Sequence, residues 1–115
     1  MNIAEKMAKK QLEHYNNHDL EGFLSAYHDD CKVYNVHDGA LLMDGKEAMR
    51  IRYGELFAKK AVHAKLVNRM VFGNKAIDHE SVTRGDGNPP TEVAAIYEVV
   101  DELIKTVWFV RAQES

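Results

Sequence analysis

The spacing of apolar positions changes part-way along the chain. Over residues 1–60 they mostly recur at helical intervals, and over residues 61–111 they alternate as in strands joined by tight turns. Ile3, Ala4, Met7, Ala8, Leu12 and Tyr15 form one helical stripe. The spacing predicts a first helix over residues 2–15, with Gln11 inside its stripe. Asn16-Asn17-His18 breaks that helix, and Asp19 suits the N-cap of a second. In the second helix Leu20, Phe23, Leu24 and Tyr27 fall at i, i+3, i+4 and i+7, and His28-Asp29-Asp30 ends it. Residues 31–37 alternate as a strand, with Cys31, Val33, Asn35 and His37 on one face. A turn at Asp38-Gly39 leads to a short extended segment, residues 41–43. Asp44-Gly45-Lys46-Glu47 has the form of a capping box, which predicts a third helix to about Lys60. Its buried face is Met49, Tyr53, Leu56 and Phe57. Four strands follow over residues 62–72, 75–84, 92–100 and 103–111. Gly73-Asn74 is a hairpin signal, residues 85–90 read as a loop, and Asp101-Glu102 is a tight turn.

Such a chain curls a sheet around a helix and leaves a cavity between them. The positions expected to face that cavity include Gln11, Asn35, His37, Tyr53, Asp78, Glu80, Tyr97 and Trp108. Polar groups set in an apolar wall point to a small-molecule site and to a setting for catalysis.

Composition narrows the classes. A length of 115 residues implies one domain over residues 1–115, enough for a core without disulfides or metal. Hydrophobic residues make up 45% and charged residues 29%, the balance of a globular chain. Net charge is −3 with no basic stripe, which argues against nucleic acid as partner. No apolar run is long enough to span a membrane. The single cysteine, Cys31, has no internal partner, and no leader pattern opens the sequence, so a reducing cytoplasm is expected. One cysteine and scattered histidines make no zinc pattern.

The order of elements carries local signatures of a known family. Asn17-His18-Asp19-Leu20-Glu21-Gly22-Phe23-Leu24 with Tyr27-His28-Asp29-Asp30, then Met43-Asp44-Gly45-Lys46-Glu47-Ala48-Met49, then residues 95–104 recur here in the family's order and spacing. The chain resembles the nuclear transport factor 2-like superfamily, which includes ketosteroid isomerase and the SnoaL-like polyketide cyclases. The resemblance implies an α+β fold: a cone-shaped, curved, mixed β-sheet wrapped around the N-terminal helix, with three helices in all. It also implies a homodimer through the outer sheet face. It places Val33, Asn35 and His37 inward, with Ala76, Asp78, Glu80 and Val82. It adds Val93, Ala95, Tyr97 and Val99, and finally Ile104, Thr106, Trp108 and Val110. Periodicity alone does not choose the inner face of residues 75–84, since Ile77, His79, Ser81 and Thr83 are hardly more polar.

The chemistry then rests on a few side chains. Asp78 and Glu80 project to one side of a strand. If that side is the cavity, desolvation and mutual repulsion raise a carboxyl pKa toward neutrality, as proton transfer requires. The alternative is that they are solvated, or paired with Arg69 across the hairpin. His37, near a turn, is a proton carrier or a surface turn histidine. Gln11 meets the pocket or sits at a helix edge. Tyr15, Tyr53, Phe57, Tyr97 and Trp108 shape the wall, the phenols and indole each offering a hydrogen bond. Measured against ketosteroid isomerase, the positions of its aspartate base and oxyanion pair are occupied by Asn35, Gln11 and Ala95, which argues against steroid isomerisation. The resulting expectation is a site for a small apolar or amphipathic molecule. Glu80, His37 and Asp78 would carry acid–base chemistry, and no metal or organic cofactor is needed. The alternatives are a non-catalytic carrier, or an interaction module whose cavity is filled by Phe57, Trp108, Met49 and Met70.

Overall fold

The computed structural model describes residues 1–112; residues 113–115 of the expected 1–115 domain lie outside the described residues. Helix α1 spans Ile3–Asn16 and α2 spans Leu20–Leu24. Strand β1 (Tyr27–Asn35) and β2 (Leu41–Asp44) precede α3 (Lys46–Ala58). The remaining strands are β3 (His63–Phe72), β4 (Lys75–Thr83), β5 (Thr91–Val100) and β6 (Leu103–Arg111). They form one six-stranded sheet in the order β2-β1-β6-β5-β4-β3. All neighbours are antiparallel except β1 and β6, so the sheet is mixed. The expected α+β architecture is present: α1 packs along the concave face of β3 to β6, and α3 lies over β1 and β2.

Local chemistry explains the ends of α1. The Asn2 side chain accepts hydrogen bonds from the N–H groups of Ala4 and Glu5 and donates to the Gly73 carbonyl, tying the helix start to the β3–β4 hairpin. At the other end Asn16 donates to the Ala64 carbonyl at 2.9 Å and accepts from the Ala64 N–H at 2.8 Å, docking the helix onto β3. Asp19 caps α2 as expected, accepting from the Gly22 N–H.

Three local expectations are corrected. Helix α2 ends at Leu24 rather than reaching Tyr27. The Ala26 carbonyl is taken by the Ile104 N–H, and Tyr27 is already in β1, so sheet pairing wins over helical spacing. Asp44 does not cap α3. It belongs to β2 and pairs with Lys32, and the cap is Gly45, at φ +91° with no side-chain bond. The Gly45 N–H donates to the Cys31 carbonyl, which keeps the chain on the sheet one residue longer. The third correction is in β6. Glu98 pairs with Thr106 and Val99 with Ile104, so Lys105 is an extra residue in the strand. That bulge reverses the alternation beyond it. Val107 and Phe109 face the core and the cavity, while Thr106, Trp108 and Val110 face outward.

Strand β4 follows the inward set that the resemblance implied: Ala76, Asp78, Glu80 and Val82 are buried in strict alternation. The core between sheet and helices centres on Phe23, Leu24, Met49, Val33, Ile104 and Val107, each nearly inaccessible. Among the described residues no helix is long and apolar enough to cross a membrane.

Candidate functional site

A cavity of about 640 Å³ opens between the concave sheet face and the helices. Its deep wall comes from several elements: Gln11 and Tyr15 of α1, Tyr27 of β1, Tyr53 of α3, Glu80 of β4 and Tyr97 of β5. Strand alternation brings Glu80 and Tyr97 inward, and helical spacing brings Gln11 and Tyr15 to one face of α1. Behind this wall Phe57 packs edge-on against Tyr15, with ring centroids 5.3 Å apart, and Phe23, itself part of the lining, has its ring centroid 4.6 Å from that of Tyr53. This aromatic packing holds the phenol-bearing rings in place.

Glu80 is the chemical centre of the wall. It is 7% exposed, and among the described residues it makes no hydrogen bond or ion pair. Burial pushes its carboxyl up to about 7; the neighbouring Asp78 charge adds to the rise and Arg69 opposes it. Asp78, two residues away and fully buried, has a different fate. Arg69 grips it with two hydrogen bonds, Nε to Oδ1 at 2.6 Å and Nη2 to Oδ2 at 2.9 Å. A buried carboxylate needs such a partner. Arg69 is thus spent on Asp78, and Glu80 is left to the cavity.

The phenols around Glu80 are strong proton holders. Burial, then the Glu80 charge, pushes Tyr15 up to about 12, with Arg84 pulling the other way. Burial also raises Tyr27, Tyr53 and Tyr97 well above the ordinary range. All four therefore keep their O–H protons near neutral pH. The Tyr27 hydroxyl donates to Gln11 Oε1 at 3.2 Å, and Gln11 Nε2 donates to the Ala8 carbonyl at 3.0 Å. Among the described residues the hydroxyls of Tyr15, Tyr53 and Tyr97 make no such bond and are available to a ligand.

The expected site residues separate into two groups. Gln11, Tyr15, Tyr53, Glu80 and Tyr97 line the cavity together. Asp78 and Phe57 stand behind the wall. Asn35, at the end of β1, and His37, exposed in the turn after it, are not part of the lining. The inward placement expected for Trp108 is corrected: the Lys105 bulge turns it to the outer face, where it stacks on Tyr34 with ring centroids 6.5 Å apart. With Trp108 and Met70 facing outward, the cavity stays open rather than filled. Cys31 is buried and its thiol is pushed up to about 12 by that burial, then by the Asp30 charge, so it stays a protonated packing group. Among the described residues no cluster of three or more His, Cys, Asp or Glu is arranged to hold a metal.

The sequence profile of the SnoaL-like domain family matches residues 8–107. The chain belongs to the SnoaL-like domain family. Among solved structures, this SnoaL-like protein is similar to an uncharacterised cystatin-fold protein from Novosphingobium aromaticivorans. That match has 30% identity and a TM-score of 0.84, covering 96% of this chain and 99% of the other. A candidate ketosteroid isomerase from Kribbella flavida shares 17% identity at a TM-score of 0.84, over 98% of this chain and 80% of that one. A candidate polyketide cyclase from Sinorhizobium meliloti shares 17% identity at a TM-score of 0.76, over 90% and 93%. The last two likenesses establish the fold alone. No functionally curated protein sequence matches significantly.

Sequence reasoning missed several lining residues of the SnoaL-like cavity. Tyr27 was hidden because it fits the helical stripe of Leu20, Phe23 and Leu24; as the first residue of β1 it faces the cavity instead. Phe109 and Arg111 were hidden by the Lys105 bulge. Both faces of β6 carry apolar residues, so no signal in the sequence marks the reversal.

Proposed function

We propose that this SnoaL-like protein binds a small, largely apolar molecule in the cavity and transfers a proton on it, with Glu80 as the base and then the acid. The observation that carries this reading is Glu80 itself: a carboxyl in a cavity wall, without a protein partner, titrating at about 7. A base with that pKa is well matched to neutral pH. In the simplest step a carboxylate oxygen of Glu80 takes the proton α to a carbonyl. The electron pair moves to the carbonyl oxygen, which accepts a hydrogen bond from one of the phenols of Tyr15, Tyr53 and Tyr97. Glu80 returns the proton to another carbon, or to a departing oxygen. Isomerisation, cyclisation and dehydration share this first step, and a hydrolysis would use Glu80 to deprotonate water. Asp78 acts through Glu80 as a positioning residue.

The test uses 2-tetralone, an enolisable bicyclic ketone. The expected result is faster α-hydrogen exchange with deuterated solvent, followed by NMR, and its loss in Glu80→Gln with ketone binding retained. Binding without exchange would establish the second reading, a non-catalytic carrier. That reading draws support from Gln11, whose amide is already bonded to Ala8 and Tyr27.

The same reading includes a homodimer through the outer sheet face and a place in the reducing cytoplasm. For the dimer the support is an apolar row across five strands: Met70, Ile77, Ile96, Trp108 and Tyr34 stand side by side in register. For the cytoplasm it is the lone, unpaired Cys31.

A further inference from the structure

The exposed residues around the cavity carry a charge pattern that the chain as a whole does not. Net charge over the sequence is −3, yet the rim carries Arg52, Lys59, Arg84 and Arg111 against one carboxylate, Glu55. Elsewhere Lys32 pairs with Asp44, Arg50 with Glu21, Arg69 with Asp78, and Lys105 with Asp30, while Lys6, Lys9, Lys10, Lys60 and Lys65 are unpaired among the described residues and lie outside the cavity lining. Among the described residues none of the four rim cations is in an ion pair. Their contacts orient them, and Arg84 has a carboxylate in range: Asp86 of the following loop, held below its ordinary pKa first by the Asn88 N–H and in smaller part by the Arg84 charge. Arg84 Nη1 donates to Thr91 Oγ1 at 3.1 Å, and the Arg111 guanidinium carbon stands 5.8 Å from the Phe109 ring centroid. Arg84 and Arg111 follow or end β4 and β6, while Arg52 and Lys59 come from the α3 side, so the opening is flanked by positive charge from two layers. The Arg84 charge also reaches the wall, since it opposes the rise in the Tyr15 phenol.

We propose that the ligand of this cavity is an amphipathic organic carboxylate whose anionic group stays at the rim, held by Arg84 and Arg111 and attracted by Arg52 and Lys59, while its apolar body extends toward Glu80. The inference rests on the small-molecule reading above and adds the ligand's charge and orientation. An anion has no reason to go deeper, because Glu80 lines the interior and Arg69 is committed to Asp78. The planar guanidinium fork matches a carboxylate with two parallel hydrogen bonds. The exposed Leu42 and Ile51 give the rim an apolar edge for the first carbons of the body.

Three probes with one ring system separate the possibilities: 2-naphthylacetate, its neutral amide, and 2-(2-naphthyl)ethylammonium, each titrated calorimetrically at low and high salt. The expected order is acid above amide above ammonium, with about a tenfold or larger gap between acid and amide that shrinks in salt. In the Arg84→Gln/Arg111→Gln variant the acid should fall to the affinity of the amide, with amide binding unchanged. Lys65→Gln, an exposed cation of β3 outside the cavity, should leave all three as in wild type. Equal affinity for acid and amide, tighter binding of the ammonium, or an acid preference that survives the double variant overturns the inference. If 2-tetralone exchange persists in any of those cases, the proton-transfer reading stands without it. Failure of all three probes to bind overturns the inference, and overturns the proton-transfer reading with it when 2-tetralone exchange is absent as well.

Discussion

Asp78 and Glu80 lie two positions apart on one face of β4, and their different partners set their different behaviour. Arg69 reaches Asp78 with both arms of its guanidinium, and Glu80 faces the cavity alone. The pair of carboxylates was legible in the sequence, as was Arg69 across the hairpin; whether they were solvated, paired with Arg69 or turned to the cavity was not. The two-residue Gly73-Asn74 hairpin decides the pairing: it runs unbroken from Phe72 opposite Lys75 to Arg69 opposite Asp78, and the Val67 bulge, which sets Leu66 opposite Glu80, lies beyond that pair. Consequences follow for pH. Below about 4.5 Glu80 is protonated in both the folded and the unfolded chain, so its burial costs no charge. Between about 4.5 and 7 the unfolded chain gives up its proton and the folded one keeps it, so stability falls as pH rises. Above that window the cost is full, on the order of 3 kcal/mol. Glu80→Gln should therefore be more stable than wild type at about pH 8 and lose that advantage toward about pH 4, as urea unfolding would measure. Asp78→Asn removes the charge that adds to the rise of Glu80, so a carboxyl-resolved NMR titration should find Glu80 below its wild-type pKa. Arg69→Leu should move it up, and should destabilise the fold by roughly 3–5 kcal/mol by leaving Asp78 buried and unpaired.

Among the elements, the helices and strands themselves followed from hydrophobic period, while their ends and irregularities did not. Helix α2 gave up its last turn because Tyr27 gains sheet pairing, and α3 begins on Gly45 because the chain leaves β2 through a positive φ that an L side chain resists. The single extra residue at Lys105 exchanged the roles of Trp108 and Phe109. A bulge shifts every later residue of the strand to the other face, and with both faces of β6 apolar no sequence signal opposes it. The junction between α1 and β3 rests on one side chain. Asn16→Ala removes both of its bonds to Ala64 and leaves a partly buried N–H and C=O unpaired. The expected loss is roughly 1–3 kcal/mol, measured by chemical unfolding, with faster amide exchange at Ala64.

On the scale of the molecule, the sheet has two uses. Its concave face and the helices enclose the cavity. Its outer face presents the row from Met70 to Tyr34, with Met70 half exposed at 53%. A row of this kind is a natural contact for a second copy, since burying it removes apolar area from water. Sedimentation velocity at micromolar concentration should find a dimer for wild type and a monomer for Ile96→Lys, which places a charge mid-row. Retention of the dimer in that variant would move the contact elsewhere.

The sequence by itself determined the order of elements, the helical stripe that carries Gln11 and Tyr15, and the presence of two carboxylates on one strand face, because these depend on periods of 3.6 and 2 that are local properties of the chain. Tertiary structure decided whether the carboxylates were paired or left to the cavity, which aromatic of β6 entered the cavity, and which cations flank its opening. Each of those depends on the register of paired strands and on the elements packed over them. A one-residue bulge changes that register with little trace in the local pattern.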